Sequence, residues 1–246
     1  MSRTPIVLIH GLMGSLDDPA IHACLSDRAV FAPHLLGYGK FSATPPARLS
    51  VAAQVAHIHR LVTERFGAGA VHVLGHSMGG AVALLFAAAH PHLVARAIDV
   101  EGNFTLKDAF WSGQLARMTD TEAEQMLARQ RVDPAAWLRR LRIAVNERTL
   151  ASAHHWLGLQ PASTLRAMGT ALVDTTSHPA YLESVRRVFA THSVHLMAGE
   201  FSRGGWDTPE WALTRAKSLT VMPGCGHLMM LDDPEGFGRM VAGLLD

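Results

Sequence analysis

The chain carries a serine in the pentapeptide Gly75-His76-Ser77-Met78-Gly79. An apolar, β-branched run precedes the pentapeptide, and a run of small, helix-favouring residues follows it. This order predicts a tight strand-to-helix turn, in which glycine is needed at the flanks because the backbone reverses so closely. Such a turn exposes the hydroxyl of Ser77, and a serine hydroxyl needs a base and an oxyanion stabiliser to act as a nucleophile. Ser77 is therefore the candidate nucleophile.

A histidine follows the last stretch with strand character, residues 219–222. His227 lies in the glycine-rich loop that comes directly after this stretch. In an open parallel sheet, functional groups gather beyond the carboxyl ends of the strands, so His227 belongs to the layer that can reach Ser77. An imidazole there can take the serine proton and later return it to the leaving group, which makes His227 the candidate general base.

The backbone amides of Leu12 and Met78 are the candidate oxyanion donors. The first apolar run, residues 6–9, leads into a loop with glycines at positions 11 and 14, which let the backbone approach the serine turn. The amide of Leu12 can then point at the same spot as the amide of Met78, the residue after the serine. His10 begins this loop, and we expect it to anchor the loop by hydrogen bonding rather than to act as a second base.

Strands and helices alternate along most of the chain. Apolar runs of strand length occur at residues 6–9, 29–32, 71–74, 97–100, 194–197 and 219–222, and helical patterns occur at 51–66, 80–90, 181–191 and 234–245. The strand runs are nearly continuous in apolar residues, which is typical of a parallel sheet buried on both faces. The alternation predicts an α/β fold with a mostly parallel sheet of about six strands and flanking helices.

The alternation stops between about residues 102 and 178. Four consecutive helical patterns occur there, at residues 107–118, 121–130, 134–146 and 162–173. We therefore predict a helical lid at residues 104–177, inserted into a core domain at residues 1–103 and 178–246. Trp111, Trp137 and Trp156 lie inside the lid, and they suit either an apolar pocket cover or ordinary core packing.

Length, charge and cysteine content narrow the function. The 246 residues suit one α/β domain with an insertion, and a formal charge of +1 without long charge blocks argues against a nucleic-acid or anionic membrane surface. Cys24 and Cys225 are far apart, so neither a disulfide framework nor a zinc site is indicated. No signal peptide or membrane span is recognisable, so we expect a cytoplasmic protein that binds a small molecule. We expect no cofactor or metal, and the oligomeric state stays open.

Three motifs resemble the α/β-hydrolase superfamily in identity and order: His10-Gly11, residues 75–80 and Gly226-His227. The resemblance covers nearly the whole chain and implies the α/β-hydrolase fold. The family's first hairpin has no counterpart before residue 6, so a six-strand core is expected. His34 stands where the family usually has Asp, which marks a divergent member. Dehalogenases of this fold have Asp at the nucleophile position, where this chain has Ser77.

The chain departs from the family pattern at the third member of the triad, the acid. The resemblance implies an acid three residues beyond Gly199, the glycine that ends the strand after the lid, and this position is Ser202. Serine has no negative charge with which to orient the histidine and stabilise its imidazolium form. The acid therefore comes from Glu200 or Asp207 at displaced positions, or from another part of the chain.

The strand after the nucleophile helix offers such an acid. Asp99 and Glu101 share one face of residues 97–101, and Glu101 lies at the carboxyl end, beside Gly102. Some family members, among them certain haloalkane dehalogenases and a mycotoxin-lactone hydrolase, resemble this in taking their acid from this position. We predict Glu101 as the triad acid, with Glu200 as the first alternative and Asp99 or Asp207 as the others.

The motifs and the resemblance together imply a serine hydrolase that cleaves a carboxylic ester through an acyl-enzyme, a carboxylesterase. The lid is rich in Leu, Met, Phe, Trp and Ala, so an ester with an apolar acyl or alcohol part is expected. A thioesterase, a lactonase or a carbon–carbon bond hydrolase would use the same machinery. A non-catalytic ligand-binding or receptor protein is the alternative from another class, because the usual acid position holds a serine.

Overall fold

A six-stranded parallel sheet forms the centre of the computed structural model, which describes residues 3–246. The strands are β1 Arg3–Ile9, β2 Arg28–Phe31, β3 Val71–His76, β4 Val94–Val100, β5 Val194–Gly199 and β6 Ser218–Met222. They lie in the order β2-β1-β3-β4-β5-β6, and every neighbouring pair is parallel. The predicted α/β fold class is confirmed. Residues 1 and 2 of the predicted core domain lie outside the described residues.

Helices connect the strands and cover the sheet. They are α1 Pro19–Cys24, α2 Val51–Phe66, α3 Met78–Ala89, α4 Phe110–Arg117, α5 Asp120–Val132, α6 Pro134–Arg140, α7 Glu147–Gly158, α8 Ala162–Ser177, α9 Pro179–Thr191, α10 Glu210–Arg215, α11 Met229–Asp232 and α12 Pro234–Leu245. Helices α2 and α9 both pack against α3, and α1 packs against α12. The predicted bounds of α2 and of α12 are confirmed at both ends. Each helix begins directly after a residue whose side chain caps it, Ser50 for α2 and Asp233 for α12.

The sheet lies in the core because its central strands are buried on both faces. Every residue of β3 and of β5 is buried, which explains why these strands are nearly continuous in apolar residues. Ile9 pairs with Gly75, and Gly75 pairs with Asp99, so β1, β3 and β4 end at the same edge of the sheet. The loops that leave this edge contain the predicted site residues.

Helices α4 to α8 follow one another between β4 and α9, as the interrupted alternation predicts. We call residues 104–177 the helical segment. The single helix predicted at residues 134–146 is wrong, because α6 ends at Arg140 and a new helix, α7, begins at Glu147. Arg142 has a positive φ of 59°, which ends the helical geometry, and Asn146 caps α7 by accepting a hydrogen bond from the Thr149 amide.

Within residues 3–246, no helix combines the length and the hydropathy that a membrane crossing requires.

Candidate active site

Ser77 lies alone between β3 and α3, in a backbone conformation that is rare for a residue with a side chain. Its φ is 55° and its ψ is −123°. The Ser77 amide donates to the carbonyl of Val100 on the neighbouring strand (2.9 Å), and the Gly80 amide donates to the Ser77 carbonyl (2.8 Å). These bonds hold a conformation that costs about 1–3 kcal/mol on its own. The serine turn is therefore fixed by both the sheet and the helix that it joins.

The glycines on both sides of Ser77 are required by close backbone contacts. A Cβ atom at Gly75 would overlap the carbonyl oxygen of Gly79, and a Cβ atom at Gly79 would overlap the carbonyl oxygen of Ile9 in β1. The turn thus lies directly against both its own helix and the neighbouring strand. This is the physical basis of the pentapeptide pattern seen in the sequence.

His227 lies in the loop between β6 and α11, and it contacts Glu101. Nδ1 of His227 is 2.5 Å from Oε2 of Glu101. Glu101 directly follows β4 and has a positive φ of 45°, while its amide donates to the carbonyl of Met197 on β5 (3.0 Å). The other ring nitrogen, Nε2, has no hydrogen-bond partner among the described residues. His227 thus has one nitrogen engaged by a carboxylate and one available for proton transfer.

Two further donors hold the other oxygen of Glu101. The Ser202 hydroxyl donates to Oε1 (2.5 Å), and so does the amide of Gly199 (2.8 Å). Burial alone would raise the pKa of Glu101, but the hydrogen bond and charge of His227, with the bonds from Ser202 and Gly199, lower it below its ordinary value. The carboxylate is therefore charged and fixed in position. The sequence offered no sign that Ser202, at the usual acid position, donates to the acid on the next strand.

The first alternative acid, Glu200, and the alternative Asp207 bind elsewhere. Oε2 of Glu200 accepts a hydrogen bond from the amide of Gly224 (2.7 Å). Asp207 accepts from the hydroxyl of Thr105 (2.6 Å). Neither carboxylate contacts His227 among the interactions of the described residues.

Asp99, the remaining alternative, lies beneath the site rather than in it. Its carboxyl group is packed so closely against Gly80 and Gly102 that a Cβ atom at either glycine would overlap it. Burial, reinforced by the nearby charge of Asp108, raises the pKa of Asp99 well above its ordinary value. Of the four candidate acids, the structure brings Glu101 together with His227.

Leu12 and Met78, the predicted oxyanion donors, lie on two backbone segments that meet at the serine. Met78 is the first residue of α3, and amides in the first turn of a helix have no partner within the helix. A Cβ atom at Gly11 would lie 3.1 Å from Cβ of Ser77, so the loop before Leu12 passes against the serine turn. The Tyr38 hydroxyl donates to the carbonyl of Leu12 (2.9 Å) and fixes this loop.

His10 is buried at the start of the same loop and makes two hydrogen bonds. Nδ1 donates to the carbonyl of Gly11 (2.8 Å), and Nε2 accepts from the amide of Leu35 (3.4 Å). Burial lowers the pKa of His10 to about 4, so the ring is neutral at physiological pH. These contacts match the anchoring role expected from the sequence.

His76 is a further residue of the candidate site whose contact the sequence did not predict. The residue lies at the end of β3, beside Ser77, and Nε2 donates to the carbonyl of His227 (2.9 Å). Burial lowers the pKa of His76 well below its ordinary value and keeps the ring neutral. His76 thereby ties the loop of His227 to the strand that carries Ser77. The sequence signal for this role was limited to a polar residue at the end of an apolar run.

A cavity of about 450 Å³ lies over Ser77 and His227. Its walls come from the sheet edge and from the helical segment, and its larger apolar lining residues are Leu12, Met13, Trp111, Met118, Met126, Trp137, Leu141 and Leu228. Trp156 instead packs against Gly14 in the loop after β1, and Trp206 donates to the carbonyl of Gly102 (2.7 Å). Trp111 and Trp137 thus line the cavity, whereas Trp156 and Trp206 pack outside its lining.

Over the described part of the chain, no group of three or more His, Cys, Asp or Glu side chains is arranged to hold a metal ion. Cys24 and Cys225 are both free thiols.

Comparison with known proteins gives a family match and related structures. A family model described as the alpha/beta hydrolase fold matches residues 4–160. The chain is 33% identical over 115 residues to Lipase 1 of Psychrobacter immobilis, a match that covers 46% of this chain and 34% of the lipase. The chain therefore spans about a third of the length of this curated relative.

Two solved structures illustrate the likeness in fold. A carboxylesterase structure from Nitrososphaera gargenis superposes with a TM-score of 0.72 at 18% identity, covering 100% of this chain and 91% of that one. A loop variant of the haloalkane dehalogenase DbeA from Bradyrhizobium elkanii superposes with a TM-score of 0.76 at 20% identity, covering 100% and 90%. At these identities the likeness concerns the fold.

Proposed function

The chain belongs to the α/β-hydrolase fold family, and we propose that within it the protein is a serine hydrolase that cleaves carboxylic esters through an acyl-enzyme. The observation that supports this proposal most directly is the contact between Glu101 and Nδ1 of His227, in a site where Ser77 and His227 line one cavity. The similarity to a lipase supports hydrolysis of ester bonds. Ser77, rather than an aspartate, argues against the dehalogenase reaction.

The reaction begins when Oγ of Ser77 attacks the carbonyl carbon of the ester. Nε2 of His227 takes the hydroxyl proton, and the amides of Leu12 and Met78 stabilise the negative charge on the former carbonyl oxygen. The tetrahedral intermediate then expels the alcohol, which leaves with the proton from His227, while the acyl group remains on Ser77. Water attacks the acyl-enzyme in the same way, and release of the acid restores the Ser77 hydroxyl.

In this scheme Glu101 orients the base, His227, and stabilises its positively charged form. Because its carboxylate accepts a hydrogen bond from Nδ1–H, the imidazole presents unprotonated Nε2 to Ser77 and is stabilised when it becomes imidazolium. Ser202 and Gly199 hold the carboxylate in that position. In this proposal the acid directly after β4 takes the role that an acid in the loop after β5 usually has in the family.

The helical segment acts as a cap over the site. Its Trp111, Met118, Met126 and Trp137 form apolar walls of the cavity, which suit an apolar acyl or alcohol part of the ester. A cavity of about 450 Å³ limits this part to small or moderate size.

Labelling with a fluorophosphonate, together with a substrate panel, tests the function. We expect the native protein to be labelled, Ser77→Ala to resist labelling, and the exposed-serine control Ser26→Ala to be labelled like the native protein. The panel compares p-nitrophenyl acetate, butyrate and decanoate with an acyl-coenzyme A and a set of lactones. Fast thioester or lactone turnover without ester turnover would assign one of those activities instead. Absence of labelling in the native protein would support a non-catalytic ligand-binding protein.

A further inference from the structure

The arginines of the helical segment that bind backbone carbonyls serve as structural anchors. Arg131 donates to the carbonyls of Leu157 and Gln160, at 2.9 and 2.8 Å. Arg148 donates to the carbonyl of Leu231, at 2.8 Å, and so joins α7 to the helix after the His227 loop. These guanidinium groups thus tie separate backbone segments together.

Arg140 differs from them, because it lines the cavity and holds nothing. Within residues 3–246 its side chain makes no hydrogen bond and no ion pair. It is exposed at the end of α6, and it borders both the active-site cavity and a shallow groove on the outer side of α5 and α6. This position is the rim of the cavity, where a guanidinium is accessible to a bound molecule.

The one carboxylate on the cavity wall does not neutralise this cation. Asp108 accepts hydrogen bonds from the amides of Phe104 (3.1 Å), Thr105 (3.3 Å) and Asp207 (2.5 Å). Both of its oxygens are therefore occupied in holding the chain after β4. No ion pair joins Asp108 to Arg140 among the described residues. Asp133 lines the outer groove together with Arg140, but it accepts the hydrogen bond of the Ala136 amide and forms no ion pair with Arg140 among the described residues. The rim arginine thus borders the cavity without a carboxylate paired to it.

The wall beside Arg140 is apolar. Trp137 lies three residues earlier on α6, so the two side chains share one face of the helix, and Trp137 is buried while Arg140 is exposed. A bound molecule that extends from Ser77 past Trp137 would meet apolar surface first and a cation at the rim. An apolar chain with an anionic end matches this order.

Resting on the proposed function, we propose that the preferred ester carries an ionised carboxylate at the end of its non-reacting part, and that Arg140 binds this carboxylate. The carboxylate accepts N–H donors of the guanidinium while the methylene chain lies against Trp137. The site thus selects esters with an anionic end over neutral esters of the same length.

Two matched substrate pairs test the proposal. On the acyl side, p-nitrophenyl hydrogen adipate is compared with p-nitrophenyl hexanoate, which has the same six-carbon chain. On the alcohol side, 6-butyryloxyhexanoate is compared with hexyl butyrate in a pH-stat. Because Arg140 is exposed, we expect the anionic member of one pair to have a kcat/KM about three- to tenfold higher. The preference should shrink as NaCl is raised to 0.5 M, because salt screens an exposed charge pair.

Variants of neighbouring arginines give the control. Arg140→Gln should bring the anionic-to-neutral ratio of kcat/KM to about one, and Arg140→Lys should keep part of the preference. Arg139→Gln, an adjacent exposed arginine that does not line the cavity, should leave the ratio as in the native protein. The proposal is overturned if neither pair favours the anion, or if Arg139→Gln lowers the ratio as much as Arg140→Gln. Failure of the esterase proposal is separate, because no member of either pair would then be hydrolysed.

Discussion

Asp99 and Glu101 make an instructive pair, because they lie two residues apart at the end of the same strand and are almost equally buried. Asp99 is 1% exposed and Glu101 is 4% exposed. Burial raises the pKa of both carboxyl groups, yet the pKa of Asp99 lies well above its ordinary value and that of Glu101 lies below its own. Burial therefore does not decide which of the two is charged.

The hydrogen-bond partners and neighbouring charges decide which of the two carboxyl groups is ionised. Glu101 meets His227, Ser202 and Gly199, all of which stabilise its ionised form. Asp99 lies against two glycines and has the charge of Asp108 nearby, which favours its protonated form. Two residues along the chain thus separate a carboxyl group packed against glycines from one that contacts His227. Three substitutions test this comparison.

The largest effect is expected from Glu101→Gln. The glutamine keeps the volume but loses the charge, and its amide group can donate to Nδ1 and favour the wrong tautomer of His227. We expect kcat/KM on an activated ester to fall by about a thousandfold or more. Steady-state kinetics on p-nitrophenyl butyrate measures this.

Glu200→Gln is the matched control for that loss. Glu200 binds the Gly224 amide rather than His227, so its kcat/KM should stay within about threefold of the native value. If Glu200→Gln is crippled and Glu101→Gln is active, the acid has been assigned to the wrong strand.

A smaller effect is expected from Ser202→Ala. Removal of this hydroxyl raises the pKa of Glu101 and leaves the Gly199 amide as the one remaining donor to Oε1 among the described residues, so the carboxylate is held less firmly. We expect kcat to fall by about tenfold with KM nearly unchanged, since the serine supports the base and does not line the cavity. Ser202→Thr keeps a hydroxyl and should restore most of kcat.

Ser218→Ala is the control that distinguishes a role of Ser202 in positioning Glu101 from a general loss of stability. Ser218 bonds Nδ1 of His195 (2.8 Å) at the beginning of β6, the opposite end of the strand from the His227 loop. Its removal should lower stability without changing the pH profile of kcat. A pH profile of Ser202→Ala that matches the native one, with native kcat, would show that the hydroxyl has no part in positioning Glu101.

The smallest effect on activity is expected from Asp99→Asn, which acts on stability instead. The folded protein holds a proton on Asp99 above pH 3.8, where the unfolded chain releases it, so this group destabilises the fold increasingly as pH rises from 3.8 toward its folded pKa. Asparagine holds no such proton. The variant should therefore be more stable than the native protein at pH 7, with kcat/KM within about threefold.

Urea unfolding between pH 4 and pH 8 measures this difference. The stability gain of Asp99→Asn should grow with pH and vanish near pH 4. A gain that is independent of pH, or a loss that grows with pH, would mean that Asp99 is ionised in the folded protein and that the comparison with Glu101 fails.

Local signals in the sequence predict the serine turn and the parallel sheet. Contacts within one turn and with the next strand require glycine at positions 75 and 79, on both sides of Ser77. The pattern is therefore visible in a short stretch of sequence. Glu101 follows from the alternation of one strand and from its carboxyl end. The roles proposed for these residues remain predictions that the experiments above test.

Other features depend on distant contacts and were not predictable. The bond from Ser202 to Glu101 joins residues 101 positions apart, and it exists because β5 lies beside β4. The end of α6 at Arg140 depends on a positive φ at Arg142, a non-glycine residue that gives no warning of it. The start of α7 at a cap of Asn146 and Thr149 does not have the usual Ser/Thr-x-x-Glu/Gln capping sequence, so it was also missed.

The position of Glu101 directly after β4 has a consequence for when the proposed triad assembles during folding. Ser77 and Glu101 directly follow two adjacent strands within a short stretch of chain, whereas His227 is 126 residues beyond Glu101. A chain that has folded only as far as β4 would hold its serine and its carboxylate on the same sheet edge and still lack a base. If the proposed triad is right, recovery of activity during refolding would therefore report the docking of β6, the last strand of the sheet in chain order.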